Sequence, residues 1–412
     1  MNVDRISNLP WGVLECILLH LPLKEAVRTS VLSSKWRHKW TNLSQYVIDD
    51  KLLSSSVLDK VARWNQIMKI LHQVELNHKG RIQKFKLSAY CRPDHSILVD
   101  WIAFLSGNAV KEFILQRFDS PIRFRFPFDR FKCPRLCHLE LFGCIIKLPA
   151  FEGFSFLTIL QLNQVCIDTE TLELLLLKCP VLERLTLLEF DNPILLKIQN
   201  TKLRYLKIVA AVADIRLRNN PFLADVEIRL RIPPIPNVWQ KDNNVVRIIG
   251  CLQGIKRLAL SSWSLVFLAN GDVPEKLPSL LQNLTVLELS EVTVDNLKHA
   301  MVSLCLIKSA PNLEELFISV SRPFGSSKHV VDFLKEKCLL GLHFKRLKVV
   351  KIRGIWEMAH AWHFIKFILA NSPVLETMTI VCYRKERFTE AQLQQLERAS
   401  EHVKILSLTS AA

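Results

Sequence analysis

A six-residue apolar pattern recurs along this chain at intervals of 20 to 34 residues, and it limits the fold more than any other feature of the sequence. Positions one, four and six are apolar in "IQKFKL", "VKEFIL", "LCHLEL", "LTILQL", "LERLTL", "LRYLKI", "LADVEI", "IKRLAL", "LTVLEL", "LEELFI", "LKVVKI" and "LETMTI". These begin at Ile82, Val110, Leu136, Leu157, Leu182, Leu203, Leu223, Ile255, Leu284, Leu313, Leu347 and Leu375. In a chain that is 49% hydrophobic, three apolar positions coincide by chance in roughly one window of eight, so the pattern needs support from its surroundings.

Four copies supply that support. "KCPRL", "KCPVL", "SAPNL" and "NSPVL" each put a proline two residues before position one, and apolar helix-like runs such as "TETLELLLLKCP" and "AWHFIKFILANSP" precede three of them. Helix, proline stop and short strand in succession predict an α/β solenoid of irregular leucine-rich repeats. Strand alternation sends positions four and six into the core and positions three, five and seven to the concave face. His138, Glu140, Tyr205, Lys207, Glu227, Arg257, Phe317 and Lys351 are candidate substrate contacts on that face, and neither one sign nor one chemistry dominates it.

The formal charge of +16 invites a nucleic-acid reading. The densest basic stretch, "RFDSPIRFRFPFDRFKCPR", interleaves arginine with aromatics as a stacking surface for single strands would. Yet Ile122, Phe124, Phe126 and Phe128 alternate with period two, the mark of a half-buried strand with Arg123 and Arg125 facing water, and that reading is preferred. Cys133, Cys137, His138 and Cys144 cluster, but their spacing and the strand-like residues between them do not suit a zinc site, and no metal or cofactor is expected. The start lacks a secretory pattern, no long apolar run appears, and the eleven cysteines are scattered, so the chain is expected to be intracellular, in nucleus or cytoplasm, with reduced thiols and no membrane span. No phosphate-cradling glycine loop, H-E-x-x-H or G-x-S-x-G is present, and no catalytic residue is expected.

Ahead of the repeats stands a different kind of segment. In "LPWGVLECILLHLP", Leu14, Ile17, Leu18 and Leu21 form one helical stripe, with Pro10 in the first turn, Ser7 or Asn8 as cap and Pro22 as terminator. "LKEAVRTS" reads as a second helix and "SSKWRHKW" as a third, with Ser33 as cap and Trp36 and Trp40 on one face. Three such helices bury too little alone and call for a partner. The segment resembles the F-box in its Leu9-Pro10 opening, the pairs Ile17-Leu18, Leu21-Pro22 and Ala26-Val27, and the Ser-Val-Leu-Ser run through Leu32 to Trp36 and Trp40. That resemblance implies docking onto a Skp-type adaptor, and through it a cullin. The implied contacts are Leu9, Pro10, Leu14, Ile17, Leu18, Leu21, Pro22, Ala26, Val27, Leu32 and Trp36.

At the other end, "KCLLGLHFKRLKVVKIRG", "WHFIKFILANSPVLETMTIVC" and "TEAQLQQLERASEHVKILSL" resemble the FBD segment that closes many plant F-box and repeat proteins. Thr389 and Gln392 read as a capping box for a final helix, and "VKILSL" as a last strand. The expected organisation is an F-box over 1–45, a strand-turn-helix junction over 46–80, degenerate repeats over 81–337 and an FBD-like segment over 338–412 that continues and closes the solenoid. Such a chain is expected to be a non-catalytic substrate receptor of an SCF-type ubiquitin ligase that binds a target protein through its repeats. The alternatives are a scaffold or receptor working without a ligase and, less favoured, a basic nucleic-acid binder.

Overall fold

The computed structural model describes residues 6–49, 60–90, 95–118, 123–149, 151–200, 202–231, 244–293, 296–321, 329–330, 332–333, 344–355, 358–382 and 395–409. The chain divides into two compact units, Met1–Asn192 and Pro193–Ala412.

The first unit opens with helices α1 (Trp11–Leu19) and α2 (Leu23–Arg28) and a 3-10 turn at Thr29–Val31. The third helix expected over "SSKWRHKW" does not form. Trp36, Lys39 and Asn42 donate their amides to carbonyls three residues back, and this string of tight turns ends in a 3-10 turn at Trp40–Asn42. So short a segment has little helical stability of its own, and its backbone instead follows the two indoles, both buried. The expected caps are also absent. Ser7 Oγ accepts from the Trp36 indole at 2.7 Å, Asn8 Oδ1 accepts from Lys35 Nζ at 3.2 Å, and Pro10 itself stands at the N-cap of α1. The Ser33 hydroxyl is buried and makes no hydrogen bond among the described residues.

Strand β1 (Gln45–Asp49) and helix α3 (Lys60–Asn77) follow, with Trp64, Ile67, Met68, Leu71 and Val74 forming the buried stripe of the helix. The serine-rich turn between them lies outside the described residues. Next come β2 (Lys84–Tyr90), α4 (His95–Ser106), β3 (Glu112–Phe118), β4 (Phe124–Arg125), β5 (His138–Phe142) and β6 (Cys144–Ile145). β7 (Ile159–Asn163), α5 (Thr169–Leu177) and β8 (Arg184–Leu188) complete the unit. Its sheet runs β1, β2, β3, β5, β7, β8, every pair parallel, while β4 and β6 form a separate parallel pair.

The second unit contains β9 (Ile194–Gln199), β10 (Tyr205–Ala210), β11 (Val212–Arg218), β12 (Asp225–Leu230), β13 (Arg257–Ser261), α6 (Ser262–Leu268) and β14 (Val286–Val292). It continues through α7 (Leu297–Lys308), β15 (Glu315–Val320), β16 (Val349–Ile355), a helix over Met358–Asn371, β17 (Thr377–Cys382) and β18 (Lys404–Thr409). β10, β12, β13, β14, β15, β16, β17 and β18 lie side by side in that order, all parallel, and β9 pairs with β11 apart from them.

All twelve copies of the pattern become strands of these sheets, each beginning at position three. Position-four side chains stack in register: Phe85, Phe113, Leu139, Leu160 and Leu185 in the first unit, and Leu206, Val226, Leu258, Leu287, Leu316, Val350 and Met378 in the second, all 0% exposed. Each proline before a strand occupies the second place of a tight turn in which Leu136, Leu182, Leu313 or Leu375 donates to the carbonyl three residues back. The ring fixes φ where that turn needs it, which is why proline recurs there.

The basic aromatic stretch is structural. Phe124, Phe126 and Phe128 are buried against one another, Arg125 is exposed, and Arg123 pairs with Asp191 and bonds the Gln164 carbonyl. Ile122 lies outside the described residues. Cys133 is buried, which pushes its thiol up to about 12, and Cys137 and Cys144 give their S–H groups to the carbonyls of Arg135 and Phe142.

The last strand departs from the rule of the others. Ile405 pairs with Met378 and Ser407 with Ile380, so Leu406 and Leu408, at positions four and six of "VKILSL", stand opposite Thr379 and Val381, each 49% exposed. A one-residue slip in register has turned every side chain over. The expected capping box at Thr389 and Gln392 lies outside the described residues.

Candidate functional site: an apolar handle and a charged strand face

The N-terminal helices divide their apolar residues between two sides. Leu14 and Leu18, each 1% exposed, face inward with Leu23, Ala26, Trp36, Trp40 and Leu43. Ile17 is 42% exposed, Leu32 is 67% exposed, and Leu21, Val31, Trp11 and Val13 are also open. Leu9 and Val27 are half-buried, and Pro10 and Pro22 are exposed.

Of the residues expected to meet an adaptor, Leu14, Leu18, Ala26 and Trp36 are therefore spent inside the chain. Leu9, Pro10, Ile17, Leu21, Pro22, Val27 and Leu32 retain open surface. The division arises because this unit is not a free-standing bundle. Glu15 Oε1 accepts the Ser44 amide at 2.8 Å, tying α1 to the start of β1, and Tyr46 of β1 is fully buried with its hydroxyl 3.3 Å from the Trp40 carbonyl. His78, just beyond α3, packs edge-on against Tyr46 and bonds the Thr41 carbonyl at 2.7 Å. Burial pushes the Tyr46 phenol up. Sequence reasoning had not picked out Ile6, Trp11, Val13 and Val31. Trp11 and Val13 lie off the inward stripe of α1, which is their sign in the sequence, while Ile6 precedes that helix and Val31 ends a 3-10 turn.

On the face of the first unit's strands that carries positions three and five, Lys84 pairs with Glu112 at 2.7 Å across β2 and β3, and Glu140 of β5 accepts from Gln116 and from Gln161 at 3.3 Å. His138 is half-buried, and burial holds its ring below the usual imidazole range despite Glu112 and Glu140 beside it.

In the second unit six charges on one face of β10, β12, β13 and β14 pair with one another. Glu227, 6% exposed, is held by Lys207 at 3.2 Å and Arg229 at 2.6 Å. Arg257 reaches Asp225 at 3.0 Å and Glu288 at 2.8 Å, and Arg229 also reaches Glu288 at 3.3 Å. Three acids thus meet three bases. Arg229 and Glu288 were not among the expected contacts, although their positions seven and five place them on this face.

Beyond Glu288 the balance changes. Phe317 and Lys351, half-buried and opposite one another on β15 and β16, line a depression of about 300 Å³ with Glu288, Ser290, Ser319 and Arg353. A bulge follows Arg353 at Gly354, whose φ is 77°, and a Cβ there would collide with the Val320 carbonyl oxygen, leaving room only for glycine.

A short helical handle with an open apolar side, joined to parallel strands that expose a polar face, defines the class of F-box proteins that carry leucine-rich repeats. The comparisons give the particular family. The chain matches the F-box domain over residues 6–47, the repeats described as "FBD-associated F-box protein At5g56370, LRR repeats" over 98–318, and the FBD over 343–380. It is 35% identical over 385 residues to the F-box/FBD/LRR-repeat protein At1g13570 of Arabidopsis thaliana, covering 92% of this chain and 91% of that protein. To At1g51370, another F-box/FBD/LRR-repeat protein of Arabidopsis thaliana, it is 24% identical over 427 residues, with 95% and 92% covered. The chain belongs to the F-box/FBD/LRR-repeat protein family.

Proposed function

We propose that this chain is the substrate-recognition subunit of an SCF-type ubiquitin ligase, docking a Skp-type adaptor with its F-box and a target protein with its repeats. The observation that carries the reading is the exposure of Ile17, Leu21, Val31 and Leu32 on a unit whose own core is already filled by Leu14, Leu18, Trp36 and Trp40. Exposed apolar groups gathered on one small segment mark a protein contact. The chain would supply no side-chain chemistry. It would hold a target lysine near a charged ubiquitin carrier and so raise its effective concentration, with transfer carried out by partners. Nucleus or cytoplasm is the proposed place of work.

Affinity capture with the proteasome blocked tests this, comparing the intact chain with one lacking residues 1–45. The adaptor and cullin should come down with the intact chain alone, while targets are retained by both and accumulate in cells expressing the shortened one. Capture of adaptor by the shortened chain, or its absence from the intact one, would refute the proposal.

A further inference from the structure

The face of β14 to β16 that carries Glu288 and Phe317 holds two cations that nothing in the described chain neutralises. Lys351 and Arg353, two residues apart on β16, point to the same side, and neither makes an ion pair among the described residues. Of the carboxylates nearby, Glu288 is committed to Arg257 and Arg229, and Glu315 sits opposite Val349, one step along from Lys351. The hydroxyl of Ser319, directly opposite Arg353, makes no hydrogen bond among the described residues, whereas Ser290 gives its hydroxyl to the Leu260 carbonyl at 3.2 Å. Two free cations and one free hydroxyl therefore open onto the depression of about 300 Å³ walled by Phe317.

The register then extends the site sideways. One row runs Phe317, Lys351, Thr379, Leu406, and the next runs Ser319, Arg353, Val381, Leu408. Leu406 and Leu408 owe their exposure to the inverted register of β18, so an apolar strip lies two strands from the cations.

We infer that this face binds a phosphorylated serine or threonine in an extended segment of the target, with an apolar residue of the same segment against Leu406 and Leu408. The inference rests on reading the concave face as the target-binding surface. A phosphate monoester carries close to two negative charges and three acceptor oxygens, which Lys351, Arg353 and the Ser319 hydroxyl can meet without disturbing any existing pair. Strands lie about 4.8 Å apart, so two strand spacings equal about three residues of a segment crossing them in the extended polyproline II form, in which side chains three residues apart face the same way. The expected signature is a phospho-residue with a leucine-sized residue three positions away.

The test uses the purified full-length chain at physiological salt and fluorescence anisotropy with labelled nine-residue peptide pools. One pool carries a central phosphoserine with leucine three positions away on either side, a second has serine unphosphorylated, and a third keeps the phosphate but replaces the leucines by serine. The first pool should bind at least about tenfold more tightly than the second. Lys351→Ala with Arg353→Ala should abolish that difference at unchanged melting temperature. Leu406→Ser with Leu408→Ser should abolish only the difference between the first and third pools. Equal binding of the first two pools, or a phosphate preference that survives in the Lys351/Arg353 variant, would overturn the inference. So would tighter binding of mixed-sequence single-stranded RNA through the same two side chains. No adaptor is present in the assay, so a failure of adaptor docking and a failure of this site give separate results.

Discussion

The indole Nε1 of Trp36 donates to the hydroxyl of Ser7 across 2.7 Å, joining residues 29 apart in the chain and closing the N-terminal unit. Both side chains are buried, so the bond ties the segment before α1 to the turns that replace a third helix.

Ser7→Ala is expected to leave the indole N–H buried without a partner, at a cost of about 1 to 3 kcal/mol. Amide exchange across 11–28 should accelerate by roughly 5- to 150-fold. Unchanged protection would mean that the bond contributes nothing to the unit.

Ile17 and Leu18 are adjacent in sequence and should behave oppositely on truncation. Leu18→Ala opens a cavity in the core and should cost about 2 to 5 kcal/mol of stability. Ile17→Ala and Leu32→Ala should leave unfolding within about 0.5 kcal/mol of the parent. They should weaken adaptor capture by roughly 30- to 1000-fold if these side chains are anchors at the interface. Calorimetry on the purified chain and titration with adaptor separate the two effects, and full-strength capture by the double variant of Ile17 and Leu32 would displace the adaptor from this surface.

Asp168 caps α5, accepting the Thr171 amide at 2.8 Å, and also pairs with Lys147 Nζ at 2.7 Å. The Lys147 hydrogen bond, followed by those from Thr171, holds its carboxyl down to about 2 from an ordinary 3.8. Because the folded value lies below the unfolded one, the contribution is complete above the unfolded value and is lost as pH falls toward 2. Asp168→Ala should cost about 1 kcal/mol at neutral pH, as for other N-caps, and nothing once the carboxyl is protonated in both states. A difference that does not shrink in urea titrations between pH 5 and pH 2 would contradict this assignment.

Cutting the chain after Cys382 removes β18 and the Ser400 hydroxyl that bonds the Leu375 carbonyl at 2.7 Å. Leu375, Met378 and Ile380, now buried, would lose their neighbours on that side, each worth roughly 1.5 to 3 kcal/mol if fully uncovered. The shortened chain is expected to melt earlier or aggregate. Identical melting and solubility would make the C-terminal segment an independent appendage.

The repeat strands were legible because the information is local and redundant. Position one sets a turn, positions four and six fill one side of a strand, and each copy makes the same choice against its neighbours, so Leu139 or Leu316 could be assigned to the core without knowing what covers it. The F-box was legible as a motif, but its third helix was not. Trp36 and Ser7 meet only through tertiary structure, and their bond outweighs the weak preference of a short segment for helix.

The sequence by itself determined which residues alternate, where strands begin and that an apolar handle precedes a repeat array, since these follow from side-chain size and polarity at fixed spacing. Only the tertiary structure decided which members of the handle stripe remain open, because Leu14 and Leu18 are claimed by an inner core built with Trp36 and Trp40, and Ile17 is not. It also decided which charges on the outward face of the strands are spent. Arg257 and Lys351 look alike in the sequence, but strand register places two carboxylates beside the first and none in contact with the second among the described residues. That register is fixed by hydrogen bonds between distant segments, and no spacing within one strand encodes it.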